Sequence, residues 1–160
     1  MRYIMSLLAS LLYLPSALSA EPVVKVINFT ADWCPNCQIL NPRLDEAIST
    51  FDDGDILRVD LDTTEAGRGA SALERAAVQT QALQTAGAHQ AAYLWNRYGG
   101  ITGLAVAVSA DTGELLSCFM RPMTADDIAA RLNLALRLAE SGKPGARNAL
   151  DQHCPEPRRS

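Results

Sequence analysis

The chain has 160 residues, 48% of them hydrophobic and 20% charged, with a net charge of −4 at pH 7. That balance suits a folded globular chain, and the want of a Lys/Arg cluster before Arg158-Arg159 argues against nucleic acid as a partner. The cysteines number 4, an even count that makes thiol pairing the leading chemical question.

Met1-Arg2, the apolar run Ile4 to Leu14 and the small residues Ser16-Ala17-Leu18-Ser19-Ala20 have the three parts of a secretory signal peptide. The run falls short of the roughly 20 apolar residues that span a bilayer, and Pro15-Ser16 interrupts it, so cleavage is expected rather than anchoring. Loss of residues 1–20 leaves about 140, enough for one domain and too few for two. That domain is expected over 21–142, followed by a tail, 143–160, that is poor in apolar residues. Export places the chain in a periplasmic, oxidising compartment where disulfides persist.

Val23 to Thr30 is almost continuous in β-branched and aromatic residues, the pattern of a strand buried on both faces. From Cys34 the period changes. Leu40, Leu44, Ala47, Ile48 and Phe51 recur at helical spacing until Asp52-Asp53-Gly54, and Pro42 is expected to bend this helix without ending it. Ile56 to Leu61 reads as a second strand, joined to the first through a helix and so parallel to it. Thr63 to Tyr98, rich in Ala, Gln and Leu, is expected to split at Gly87 into helices over Ser71 to Thr85 and His89 to Arg97. Leu104 to Ser109 and Glu114 to Met120 read as antiparallel strands turned at Gly113. Thr124 caps a last helix with a buried stripe of Ile128, Leu132, Ala135, Leu136 and Ala139, ended by Gly142-Lys143-Pro144-Gly145.

The chemistry concentrates in Trp33-Cys34-Pro35-Asn36-Cys37, where the first strand gives way to the first helix. A thiol at a helix N-terminus feels the positive end of the helix dipole, which favours its thiolate. Cys34 is therefore the candidate nucleophile. Cys37, one turn on, is placed to attack a mixed disulfide on Cys34 and release the partner. A purely structural bridge here would close a single turn and remove little loop entropy. Asp32 opposes the thiolate, so only a moderate fall in the Cys34 pKa is expected. Two thiolates make half a tetrahedral zinc site, and His89, His153, Cys118 and Cys154 lack short ligand spacing to the motif; neither metal nor cofactor is expected. Cys118 in the last strand and Cys154 in the tail are a reasonable disulfide pair, the alternative being a buried free Cys118, and spacing alone does not decide between them. Tyr93, Trp95 and Tyr98 are read as packing residues.

The element order and Phe29-Thr30-Ala31-Asp32-Trp33-Cys34-Pro35-Asn36-Cys37, with Pro42 five residues on and the Asp111-Thr112-Gly113 hairpin, resemble the thioredoxin fold over most of residues 23 to 140. In an exported chain, Thr30-Ala31-Asp32-Trp33-Cys34 is similar in particular to the periplasmic C-terminal domain of the thiol:disulfide interchange proteins called DsbD. The resemblance implies a three-layer α/β/α domain with a mixed four-stranded sheet, here with an extended helical connection before the third strand. It implies a monomer that reduces disulfides in partner proteins, electron supply from a membrane thiol relay, and substrate contacts at Trp33, Pro35, Asn36, Leu104 and Ala105. Two departures stand out. The family's buried acid falls at Asn28, and an amide cannot serve as a base, so slow resolution by Cys37 is expected. Its cis-proline position aligns with Ala105, where a cis bond would cost about 2.5–4 kcal/mol. The competing readings are a disulfide oxidase, and a non-catalytic binding module whose dithiol is a staple or metal holder and whose Thr63 to Tyr98 helices dock a partner.

Overall fold

The computed structural model describes residues 21–141 and 154–157. The expected signal segment and most of the tail, His153 included, lie outside the described residues. The elements are β1 (Val24–Thr30), α1 (Pro35–Ile48), β2 (Ile56–Asp62), a 3₁₀ turn (Thr64–Ala66), α2 (Ala72–Ala88), α3 (Ala92–Tyr98), β3 (Leu104–Ser109), β4 (Leu115–Met120) and α4 (Ala125–Glu140). Among the described residues no helix is long and apolar enough to cross a membrane.

The four strands form one sheet in the order β2-β1-β3-β4, with β1 and β2 parallel and the pairs β1/β3 and β3/β4 antiparallel. β1 is central because its side chains are apolar on both faces. Val24 and Val26 pack with Leu40 and Leu44 of α1 and with Ile128 and Leu132 of α4. Ile27 and Phe29 look the other way, into Ala82 and Ala86 of α2 and Leu94 and Tyr98 of α3. Burial of a large aliphatic or aromatic side chain stabilises by about 1.5–3 kcal/mol, and these two sets clamp the sheet from both sides as the three-layer expectation required. Phe29 stacks on Trp95 at 6.2 Å between ring centroids and meets Tyr98 edge-on at 6.4 Å, so these two aromatics of α3 are packing residues. Tyr93, although 40% exposed, fixes the β3–β4 turn by donating its hydroxyl to Gly113 O at 2.8 Å.

The caps follow the sequence closely. Thr124 accepts from Asp127 N and Asp127 accepts from Thr124 N, a reciprocal box at the start of α4, and Ser71 with Glu74 repeats it on α2. The α2/α3 break is the main difference. Gly87 stays inside α2, and the chain reverses at Gln90, whose φ of 61° lets Ala91 N reach back to Ala86 O at 2.8 Å. That is a Schellman-type closure in which a non-glycine residue takes the left-handed position. A glycine in a helix interior costs about 1 kcal/mol, which the packing of Ala82 and Ala86 on the sheet offsets. The break therefore falls three residues later than composition suggests.

Cys118 and Cys154 are joined by a disulfide, with 5.0 Å between their Cα atoms. Cys118 is fully buried on the α2/α3 face of β4, so the bridge draws the 154–157 segment against that side of the sheet, where Cys154 packs on the core.

Candidate active site

The dithiol sits where β1 ends. Thr30 is the last residue of the strand, and the 31–34 turn closes through Cys34 N to Ala31 O at 3.1 Å. Pro35 at the first helical position sacrifices no backbone hydrogen bond, since the N–H it lacks would have had no intrahelical partner. Cys34 is the N-cap itself: its sulfur accepts from Cys37 N at 3.2 Å, in the role a serine or aspartate oxygen usually fills.

Both thiols are free and buried, Cys34 3% and Cys37 2% exposed. Their electrostatics differ. Burial opposes the Cys34 thiolate, but hydrogen bonds from the Cys37 thiol, the Thr102 hydroxyl and the amides of Cys37 and Asn36 together outweigh it, and the Cys34 pKa lies below the ordinary cysteine value. Burial likewise raises the Cys37 pKa, and its donation to Cys34 and the charge on that neighbour raise it further; the Ala31 amide and the Thr30 hydroxyl pull in the opposite direction without reversing the shift. One thiol is thus poised as thiolate while its neighbour holds a proton. Alkylation of the reduced protein should accordingly show two midpoints, Cys34 reacting below the ordinary value of 9.0 and Cys37 above it, and a single midpoint at the ordinary value would contradict this asymmetry.

Around the thiols, Trp33 is 50% exposed and is fixed by donating Nε1 to Thr64 O at 3.0 Å. Thr64 Oγ1 also accepts from Asp32 N at 2.9 Å, so the turn after β2 holds the CxxC turn from outside. Beyond Trp33 and Pro35 a cleft of about 1150 Å³ opens toward Glu65, Arg68 and Glu74. Asn36 is likewise exposed. Trp33, Pro35 and Asn36 thus gather on the outer face of the dithiol.

Leu104 and Ala105 do not join them. They are 1% and 0% exposed within β3, the Leu104 side chain facing α3 and that of Ala105 facing α1 and α4. The loop residues whose side chain or Cα faces the dithiol are Thr102 and Gly103. Every described peptide bond is trans. Thr102 donates to Cys34, while Gly103 adopts φ of 80° and its N–H bonds Phe29 O at 2.9 Å. A Cβ on Gly103 would lie 2.5 Å from Asn36 Cβ and 3.5 Å from Cys34 Sγ. Gly103→Ala should therefore lower stability by about 1–3 kcal/mol and displace the Asn36 turn. Chemical denaturation and the Cys34 alkylation midpoint check this; an unchanged midpoint together with unchanged stability would count against so close an approach.

Among the described residues no three His, Cys, Asp or Glu side chains converge as a metal site. Cys118 and Cys154 are committed to each other, and His89 lies at the far end of α2.

A mixed sheet in the order β2-β1-β3-β4, flanked by helices on both faces and carrying a dithiol at the N-cap of its first helix, defines a dithiol-bearing domain of thioredoxin type. The thioredoxin family model matches residues 15–96, just over half of the sequence. The chain belongs to the thioredoxin family. No curated protein matches it. Solved structures similar to it include a thioredoxin-family thiol:disulfide interchange protein from Chlorobium tepidum TLS, with 18% identity over 71% of this chain and 80% of that one and a TM-score of 0.46. StoA from Bacillus subtilis is 16% identical over 70% of this chain and 84% of its own, with a TM-score of 0.44. A thioredoxin-related protein from Neisseria meningitidis serogroup B is 14% identical over 79% of this chain and 93% of its own, with a TM-score of 0.40.

Proposed function

We propose that the protein is a periplasmic thiol:disulfide oxidoreductase that reduces disulfides in partner proteins. The observation that carries this reading is the asymmetry of the two thiols: Cys34, capping the helix, has its pKa lowered, and Cys37, one turn on, has its pKa raised. In the mechanism that follows, the Cys34 thiolate attacks a partner disulfide and forms a mixed disulfide. Cys37 then displaces the partner thiol and leaves a Cys34–Cys37 disulfide. Trp33, Pro35 and Asn36 border the route of approach, and the backbone of the Thr102-Gly103 loop lies beside it.

The reductive direction is supported by the dipeptide Pro35-Asn36, which brings no cation to hold the reduced thiolate in the manner of a strong oxidant. The domain acts as a monomer after removal of residues 1–20, and a DsbD-like membrane thiol relay is the proposed source of electrons. No cofactor takes part. Catalysed reduction of a protein disulfide by a small dithiol, assayed beside the metal content of the purified protein, tests the reading. Turnover without bound metal is the expected result. A metal-loaded, inactive protein would favour the binding-module alternative.

A further inference from the structure

Beside Cys37 runs a row of polar side chains that lies outside the CxxC motif. Its outer end is Asp60, an exposed residue of β2 that pairs across the strands with Asn28 of β1, itself 1% exposed. Asn28 Nδ2 donates to Asp60 Oδ1 at 2.7 Å and to Asn41 Oδ1 at 3.1 Å. Asn41, one turn beyond Cys37 on α1, donates from Nδ2 to Thr30 Oγ1 at 3.0 Å. The Thr30 hydroxyl is in turn hydrogen-bonded with the Cys37 sulfur. A continuous line of polar groups thus joins the protein surface to the buried resolving thiol.

The direction of each bond follows from the one before. A carboxylate only accepts, so Asn28 must turn its amide nitrogen toward Asp60. The second hydrogen of that nitrogen goes to the Asn41 oxygen, which leaves the Asn41 nitrogen for Thr30. Thr30 Oγ1 is then an acceptor on one side, and its own hydrogen is free for Cys37. The same residues with an acid at position 28 would not be ordered in this way.

We propose that Thr30 is a catalytic residue of the resolving step, its hydroxyl donating to the Cys37 thiolate as that sulfur attacks, and that Asn41, Asn28 and Asp60 are its positioning residues. The proposal rests on the disulfide exchange put forward above. In the step, Cys37 loses its proton and its sulfur bonds to Cys34 Sγ. The bond between Cys34 and the partner sulfur breaks, and the departing partner thiolate takes up a proton. The partner is reduced by one electron pair, and Cys34 and Cys37 are left oxidised as a disulfide. A hydrogen bond to a charged sulfur favours the thiolate and so compensates in part for the carboxylate that Asn28 lacks.

The groups that face Cys37 are Cys34 on its own helix start, the Phe29 carbonyl and Thr30 hydroxyl of β1, and the Ala31 amide. The charged residues at the outer end of the row are Asp60 and its ion-pair partner Arg58, with Asp45 beyond. A pH effect transmitted to Cys37 must pass through these.

Stopped-flow reaction of the reduced protein with an aromatic disulfide reagent separates the two steps, because one chromophoric thiol is released on attack by Cys34 and a second on resolution by Cys37. Thr30→Val should leave the first phase unchanged, slow the second about tenfold near neutral pH and move its pH midpoint upward. Thr30→Ser, which keeps the hydroxyl, should restore the second phase. Asp60→Asn, at an exposed position that leaves the core untouched, should slow the second phase by a smaller factor and keeps the test open if Thr30→Val fails to fold. A second phase with the same rate and pH midpoint in Thr30→Val or Asp60→Asn as in wild type would overturn this proposal while leaving disulfide exchange intact. Absence of both phases in wild type would instead remove the proposed function.

Discussion

Cys34→Ser is expected to abolish disulfide exchange, while Cys37→Ser keeps the first step and accumulates partner proteins as mixed disulfides. The difference follows from the geometry of the cap. Only Cys34 has the amides of Asn36 and Cys37, the Thr102 hydroxyl and the neighbouring thiol all directed at its sulfur. Cys37 is raised by burial and by its neighbour, so at neutral pH it is a poor nucleophile until Cys34 is consumed in a mixed disulfide and its charge is gone. Each pKa unit changes the thiolate fraction about tenfold, and the loss on Cys34→Ser should reach the uncatalysed background. Mass spectrometry of each variant after exposure to a disulfide-bonded protein reads the result directly. Trapping by Cys34→Ser instead of Cys37→Ser would reverse the assignment.

Loss of the Cys118–Cys154 bridge should have the largest effect on stability. The bridged residues are 36 apart in sequence, and closing a loop of that length in the unfolded chain is worth about 4 kcal/mol on chain-entropy grounds. Cys154→Ser is the informative substitution. It leaves Cys118 as a buried thiol, which behaves as a small apolar group, and places the new hydroxyl at a half-buried position. The midpoint of urea denaturation should fall by an amount matching several kcal/mol, and the alkylation midpoints of Cys34 and Cys37 should not move, because the bridge lies on the α2/α3 face of β4 and the dithiol at the end of β1. An unchanged denaturation midpoint would mean that the bridge adds nothing to the fold.

Much of the fold was legible because it is written in periods that a single segment carries. The double-sided apolar run of β1, the helical stripe through Leu40 and Leu44, and the Thr124 and Gly113 signals each specify their element without knowledge of a partner. Gly87 misled because composition cannot see that Ala82 and Ala86 pack on the sheet and carry α2 past it. Cys34 and Cys37 were legible for the same local reason as the elements: strand, turn and helix start are contiguous. Thr102 was not, since it reaches Cys34 from a loop almost seventy residues away, a relation set by the β1/β3 register. Asn28 stands where the family carries an acid, and the carboxylate it meets lies across the parallel register at Asp60, a pairing that composition cannot show. An aspartate introduced at position 28 would face that carboxylate at hydrogen-bond distance, where like-charge repulsion would oppose its ionisation.

Whether the Cys34/Cys37 pair is a reducing couple is read from its equilibrium reduction potential. Equilibration of the protein against a glutathione or dithiothreitol redox buffer, with the oxidised fraction read by mass spectrometry, supplies the value. A potential between about −270 and −200 mV, the span of known dithiol reductants, is predicted. A value near −120 mV would make the protein an oxidant, and one below about −300 mV would make the pair a structural staple; either would contradict a reducing role.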